Sequence, residues 1–161
     1  AGPVAVHALA DGRVSVDMGK PVFEASTLEI NGLRMDVSLV SMGNPHCVLL
    51  VDDATAAQVQ TLGPLIEGHQ RFPDRINVGF MQVRDRETIV LRVHERGVGE
   101  TLACGTGACA AAVAGRKLGL LDATVNVYLP GGKLVVSWRR GADTVWLTGD
   151  AEILSEGIID L

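Results

Sequence analysis

The residues best suited to chemistry lie in one stretch, His94–Gly119, which combines a charged pair, glycine-rich turns, a cysteine and the start of a helix. Thr106 is a good N-cap, and small helix formers over 107–118 predict a helix that begins just after Cys104. The unpaired amides and positive dipole end of such a helix favour anions. We therefore expect Cys104 to have a lowered thiol pKa, and the amides of residues 105–107 to bind a carboxylate or a phosphate.

The charged pair in this stretch, Glu95 and Arg96, ends a strand and enters the turn Gly97-Val98-Gly99. One interpretation is a solvated ion pair at a strand end. The other is an amino-acid site, in which Arg96 holds a carboxylate with two hydrogen bonds and Glu95 takes an ammonium. The glycines would let such a ligand approach the backbone closely, just before the helix N-terminus.

The other residues with reactive side chains have simpler interpretations. Cys47 lies in the apolar run HCVLLV and Cys109 on an apolar helix, so both are predicted to be small core residues. His46 follows an Asn-Pro turn, where a lone histidine is more often structural than catalytic. No Cys/His spacing fits a zinc site, so we expect no metal, and no lysine has the surroundings of a Schiff base.

The helix after Cys104 is apolar all round from Ala108 to Ala114. A helix of this kind is normally buried on every side. Because its side chains are mostly alanine, it is thin, and strands can approach it closely. The sequence therefore predicts a central helix wrapped by a sheet.

The rest of the chain has the pattern of about ten short strands, mostly joined by hairpins, with a second helix. Asp11-Gly12 and Asn31-Gly32 are hairpin signals, the second of type I′. A helix is predicted over 54–62, which Gly63-Pro64 interrupts before a second turn over 65–68. The predicted fold class is α+β, with a mostly antiparallel, barrel-like sheet around the central Ala-rich helix and a single domain over residues 1–161.

Composition argues against several classes of function. A net charge of −5 and only 4% aromatic residues disfavour a nucleic-acid surface, which needs basic and stacking side chains. The longest apolar runs are strand-sized, so no membrane partner is expected. Three cysteines without an export signal predict a cytoplasmic location.

Four motifs together resemble the C-terminal half of the diaminopimelate epimerase family. They follow in the family's order over essentially the whole chain: VDMGKPVF (16–23), GNPH (43–46), FPDRINVGF (72–80) and ERGVGETLACGTGACAAA (95–112). Each motif is weak alone, but the combination is highly specific. The resemblance implies a cofactor-independent isomerase that interconverts LL- and meso-diaminopimelate in lysine and peptidoglycan synthesis. Two cysteines work on opposite faces of the substrate carbon: one thiolate removes the α-proton and the other thiol returns a proton.

Carried onto this sequence residue by residue, the resemblance makes Cys104 the second of these cysteines. It implies that Asn44, Asn77, Glu95 and Arg96 contact the substrate's ammonium and distal carboxylate, that Gly105 and Thr106 offer amides to the carboxylate at the reacting centre, and that His46 and Gly107 support the site. A carbanion beside a carboxylate is very unfavourable in water. Fixed donors at a helix N-terminus would stabilise its charge without reorganising.

The sequence departs from the family in length. A whole enzyme of this kind is about twice as long and carries its first cysteine in a similar N-terminal domain, which is absent here; this chain starts within a strand, as if cut from a longer protein. We expect neither Cys47 nor Cys109 to replace that cysteine. The expected partners are a small amino-acid substrate and the missing N-terminal domain, with a homodimer left open. The isolated chain is expected to fold without epimerising.

Two alternatives stay open. One is another cofactor-free isomerase of the same fold, such as a proline racemase or a phenazine-type isomerase. Glu95-Arg96 with Asn44 and Asn77 favours instead a long substrate with a second charged end. The other alternative is a non-catalytic binding domain that keeps half of a site.

Overall fold

Eleven strands and two helices are present in the computed structural model, which describes residues 4–139, 143–152 and 157. The strands are β1 (Val6–Ala8), β2 (Val14–Asp17), β3 (Val22–Ile30), β4 (Leu33–Ser41), β5 (Pro45–Leu50), β6 (Asn77–Asp85), β7 (Thr88–Glu95), β8 (Gly99–Thr101), β9 (Thr124–Leu129), β10 (Gly132–Ser137) and β11 (Trp146–Gly149). The helices are α1 (Val59–Glu67), between β5 and β6, and α2 (Gly105–Lys117), between β8 and β9.

All of these strands join one open sheet in the order β1-β2-β11-β10-β9-β7-β6-β5-β4-β3, with β8 paired to β7 beside this path. Most neighbours are antiparallel, as predicted, but β5 and β6 are parallel, and so are β7 and β9. The prediction missed these two pairs because α1 and α2 carry the chain between them, and a helical crossover returns the next strand in the same direction. The architecture is therefore a mixed sheet with two helices.

Both predicted hairpin turns are confirmed. Asn31 and Gly32 have φ values of 52° and 78°, and positive φ at both positions is what a type I′ turn requires. The turn connects β3 and β4, which pair over nine positions from Ile30 opposite Leu33 to Val22 opposite Ser41. Gly12, with φ of 86°, lies in the turn between β1 and β2.

Helix α2 is buried from Gly107 to Gly115, as its sequence predicts, and it contacts strands β3–β7 and β9–β11. It begins two residues before the predicted start, because Cys104 is the N-cap and Thr106 lies inside the first turn. Thr106 does not cap the helix, since its hydroxyl is bonded to Asn44. Although α2 is apolar, no helix in the described part of the chain is long and apolar enough to cross a membrane.

Helix α1 lies further along the chain than predicted, and Pro64 is inside it. Burial of Val59 and Ile66 in a second core cluster, with Phe80 of β6, stabilises this position. The proline leaves only the carbonyl of Gln60 without its helical donor, and Gln60 is exposed to water. Tertiary packing therefore overrides the local helix-breaking signal.

Candidate active site

Segments far apart in the sequence meet at one edge of the sheet, beside the N-terminus of α2. His46, near the start of β5, pairs with Asn77, the first residue of the parallel strand β6. The next residue of β6 lies opposite His94, so β7 ends at this edge with Glu95. One parallel pairing and one antiparallel pairing thus bring together the strand residues that the sequence predicted for the site.

A chain of polar contacts links β5 to the cysteine. The Nε2 atom of His46 lies 3.2 Å from Oδ1 of Asn44, and the Asn44 amide donates to the Thr106 hydroxyl at 3.2 Å. That hydroxyl lies 3.7 Å from Sγ of Cys104. Asn44 therefore fixes the first turn of α2 relative to β5.

Asn77 and Arg96 form the second set of contacts. The Asn77 side chain donates to the carbonyl of Pro45 at 2.9 Å and accepts the backbone N–H of Arg96 at 3.0 Å. The exposed Arg96 guanidinium donates to the carbonyl of Asp74 at 3.1 Å. Glu95 instead accepts the Thr101 hydroxyl at 2.6 Å. The two charged side chains do not pair with each other, so the interpretation as a simple ion pair is wrong.

Cys104 is buried, with 6% of its surface exposed, and its pKa is raised rather than lowered. Burial is the main cause, because a thiolate loses its hydration there. Hydrogen bonds from Thr106 and from the Gly107 amide act in the opposite direction, and the nearby Glu95 carboxylate raises the pKa further. The predicted lowering is wrong in this chain because desolvation and Glu95 outweigh the hydrogen bonds from Thr106 and the Gly107 amide.

Glycines make room around the cysteine. A Cβ at Gly107 would lie 3.1 Å from Sγ of Cys104, which is tighter than ordinary van der Waals contact. A Cβ at Gly105 would lie 3.0 Å from a methyl group of Leu147 on β11. The first turn of α2 therefore approaches both the cysteine and the sheet more closely than larger residues allow.

Cys47 and Cys109 are core residues, as predicted. Both are fully buried, and burial raises the pKa of each thiol to about 12. Among the described residues, no group of three or more His, Cys, Asp or Glu side chains could hold a metal ion.

These environments predict the order of thiol reactivity. We expect iodoacetamide to label Cys104 fastest in the native chain, because the other two thiols are inaccessible and still harder to ionise. Peptide mapping by mass spectrometry after short exposures at pH 8 measures the order. Faster native labelling of Cys47 or Cys109 would contradict this picture.

His46 is almost completely buried, and burial, with the nearby Arg96 charge, lowers its pKa from 6.5 to about 4. The native state therefore disfavours the imidazolium. Between pH 6.5 and 4 the unfolded chain binds the extra proton, so His46 makes stability fall with decreasing pH, by up to about 3 kcal/mol. Urea unfolding from pH 7.5 to 4.5 should show a shallower pH dependence for His46→Gln than for the wild type. Parallel curves would show that His46 does not titrate as described.

Two residues beside the predicted site, Glu67 and Thr101, carry no signal in the sequence. Thr101 donates to Glu95, and Glu67 is a buried carboxylate behind the Glu95-Arg96 turn. Glu67 follows an apolar helical segment without a distinguishing motif, and its burial depends on α1 packing against β7. The burial of Glu67 therefore could not be predicted from the residues next to it in the sequence.

Comparison with known proteins identifies the family. The family model described as diaminopimelate epimerase matches residues 38–154. The diaminopimelate epimerase of Alkalilimnicola ehrlichii is 54% identical over 164 residues, which cover 94% of this chain and 59% of the relative. That of Acidovorax ebreus is 48% identical and covers 100% of this chain and 64% of the relative. The chain thus spans about three fifths of the length of these curated relatives.

Solved structures share the fold at low identity. A hydroxyproline epimerase from Agrobacterium vitis, with bound trans-4-hydroxy-L-proline, aligns with a TM-score of 0.67 at 15% identity over 86% of this chain and 50% of its own. A phenazine biosynthesis protein from Enterococcus faecalis aligns with a TM-score of 0.65 at 19% identity over 99% of this chain and 62% of its own. These likenesses establish the fold. The family match over most of the sheet and all of α2 establishes more: the chain belongs to the diaminopimelate epimerase family.

Proposed function

We propose that this chain supplies one half of the active site of a diaminopimelate epimerase. The observation that carries the proposal is the position of Cys104, at the N-terminus of α2 with Glu95 and Thr106 beside it. In the reaction, a thiolate removes the α-proton of diaminopimelate and a thiol returns a proton to the opposite face. Cys104 is the thiol that returns the proton.

The state of Cys104 suits this role. Its raised pKa keeps the thiol protonated at neutral pH, as a proton donor must be. The Glu95 carboxylate contributes to this shift through its negative charge. A substrate ammonium bound at Glu95 would offset that charge and ease the release of the Cys104 proton as the reaction proceeds.

The first turn of α2 is the proposed site for the carboxylate at the reacting carbon. The first amides of a helix have no acceptor within the helix, so those of Gly105 and Thr106 can donate to a ligand. As the α-proton leaves, negative charge spreads onto that carboxylate. Donors already held in place stabilise this charge without reorganising.

The distal end of the substrate is assigned to Arg96, Asn44 and Asn77. Arg96 is exposed, and its planar guanidinium can hold a carboxylate with two hydrogen bonds. The side-chain amides of Asn44 and Asn77 each have hydrogen-bonding capacity beyond their present partners. His46 and Gly107 support the site by holding Asn44 and by making room for the cysteine.

Replacing Arg96 tests this assignment. In the full-length enzyme we expect Arg96→Lys to lower kcat/KM by a factor of about ten or more, because a point charge cannot replace a planar fork. Arg34→Lys, on β4, is a control expected to have no effect. Steady-state kinetics with LL-diaminopimelate measure both. Activity of Arg96→Lys within twofold of wild type would mean that Arg96 does not bind the substrate carboxylate.

The opposite wall and the other cysteine are proposed to come from a domain that precedes this one. The length of the relatives beyond the matched region leaves room for it. Residues 1–161 then form one domain, in which the sheet curves around α2 as an incomplete barrel. The contacts of α2 with strands from both halves of the sheet support this arrangement.

The test is a substrate panel with the full-length protein. We expect LL-diaminopimelate to be epimerised at least about a hundredfold more efficiently than L-proline or trans-4-hydroxy-L-proline, which have no second charged end for Arg96. Efficient turnover of either proline would support a proline racemase-type activity instead. Tight binding of diaminopimelate without turnover would support a binding domain.

A further inference from the structure

A buried carboxylate that the proposed reaction does not use lies behind the Glu95-Arg96 turn. Glu67, the last residue of α1, has 10% of its side chain exposed. Its Oε2 atom accepts a hydrogen bond from Nε2 of His94 at 2.8 Å, and its Oε1 atom accepts one from the backbone N–H of Gly97 at 2.8 Å. Arg75, which is exposed, adds a weaker contact at 3.4 Å. Both oxygens are thus occupied by donors that flank the charged pair.

These donors hold the turn from both sides. His94 precedes Glu95, and Gly97 follows Arg96 with a φ of 75°, in the left-handed region that favours glycine. The turn closes with the Val98 amide donating to the Glu95 carbonyl at 3.0 Å. Glu67 therefore contacts the residues immediately before and immediately after the pair.

The packing of α1 makes this contact specific. A Cβ at Gly63 would lie 2.7 Å from Cγ of His94, so the glycine lets α1 press directly on the histidine ring. The other ring nitrogen, Nδ1, is buried without a hydrogen-bond partner. A buried polar atom without a partner is costly, and the bond from Nε2 to Glu67 offsets part of that cost. Hydrogen bonds from His94 and Gly97 also lower the pKa of Glu67, so that it stays ionised.

We propose that Glu67 is a positioning residue, which fixes the 94–97 turn and so sets the directions of the Glu95 and Arg96 side chains toward the substrate. The inference rests on the proposed function, in which these two side chains bind the charged groups of diaminopimelate. Glu67 touches no substrate atom. It acts through the backbone amide of Gly97 and the ring of His94.

The expected signature of this role is in substrate binding. Misplacing a binding group by about 1 Å can cost up to a hundredfold. Arg96 holds the distal end of the substrate, which does not change during proton transfer, so misplacing Arg96 weakens binding of the ground state and the transition state alike. The Glu95 carboxylate keeps a second anchor, the Thr101 hydroxyl at 2.6 Å, so the loss falls mainly on Arg96. A loss of this kind raises KM and leaves kcat nearly unchanged.

The test is Glu67→Gln in the full-length protein. Glutamine has the same shape, but its NH₂ group must face either the His94 or the Gly97 donor. The Nε2 atom of His94 can accept a hydrogen bond from that NH₂ group only if the ring proton moves to Nδ1, which is buried without a partner. We expect KM for LL-diaminopimelate to rise about tenfold and kcat to change less than threefold. Glu67→Asp, which keeps the charge but is too short to hold both donors, should show the same split.

The matched control is Ile66→Val, which removes one buried methyl group from the neighbouring position of α1. It should lower stability without changing KM, and urea unfolding establishes that each variant is folded under assay conditions. An unchanged KM in both Glu67 variants, an equal rise in Ile66→Val, or a loss confined to kcat would overturn the inference. A wild-type protein that does not epimerise diaminopimelate would overturn the proposed function instead.

Discussion

Cys104→Ser is expected to lower kcat for epimerisation in the full-length enzyme by a factor of about 10²–10⁴, the range that general acid–base groups contribute. The serine hydroxyl fits the same space beside Thr106 and Gly107. It holds its proton far more tightly than a thiol does, so it can neither return a proton quickly nor remove one. The fold should be unaffected, since this change removes no large apolar group.

The measurement is conversion of LL-diaminopimelate to the meso form, followed by chiral chromatography. Cys109→Ala is the matched control, because it alters a thiol on the same helix that is fully buried. It should retain activity within about threefold if the protein is folded. If kcat of the Cys104→Ser enzyme is within tenfold of the wild-type value, Cys104 does not transfer the proton.

The isolated chain is expected to fold but to give no detectable meso product. Folding is expected because both buried clusters, one around α2 and one beneath α1, are made within the described residues. Inversion needs a base on one face of the carbon and an acid on the other, while Cys104 is the one cysteine of this chain assigned to the proposed site. Val98 and Leu102, which flank the site, are 75% and 71% exposed, so this wall is open to water. Water weakens the charge contacts that would stabilise the carbanion.

Incubation of the purified chain with LL-diaminopimelate in D₂O tests this expectation. Mass spectrometry follows deuterium at the α-carbon, and chiral chromatography follows the meso form. Slow one-sided exchange is the most that we expect. Meso product at a rate near that of the full-length enzyme would mean that a second base is present in this chain or is supplied by another copy of it.

The sequence determined the features that depend on neighbouring residues. Asn31-Gly32 specified a type I′ hairpin through the backbone preferences of two residues. The run of alanines after Cys104 specified a helix thin enough to be buried on all sides. The four motifs together were distinctive enough to identify the family, and residues carried over from three of them meet at one edge of the sheet.

The tertiary structure decided what depends on partners far away in the chain. The parallel pairings follow from where two helical crossovers return the chain, and the position of α1 follows from the burial of Val59 and Ile66 against β6. The two closest donors to Glu67, His94 and Gly97, lie 27 and 30 residues further along the chain. The pKa of Cys104 shows the reason most clearly. The helix terminus that would lower it is local and can be recognised in the sequence, whereas the burial and the Glu95 charge that raise it exist only after the chain has folded.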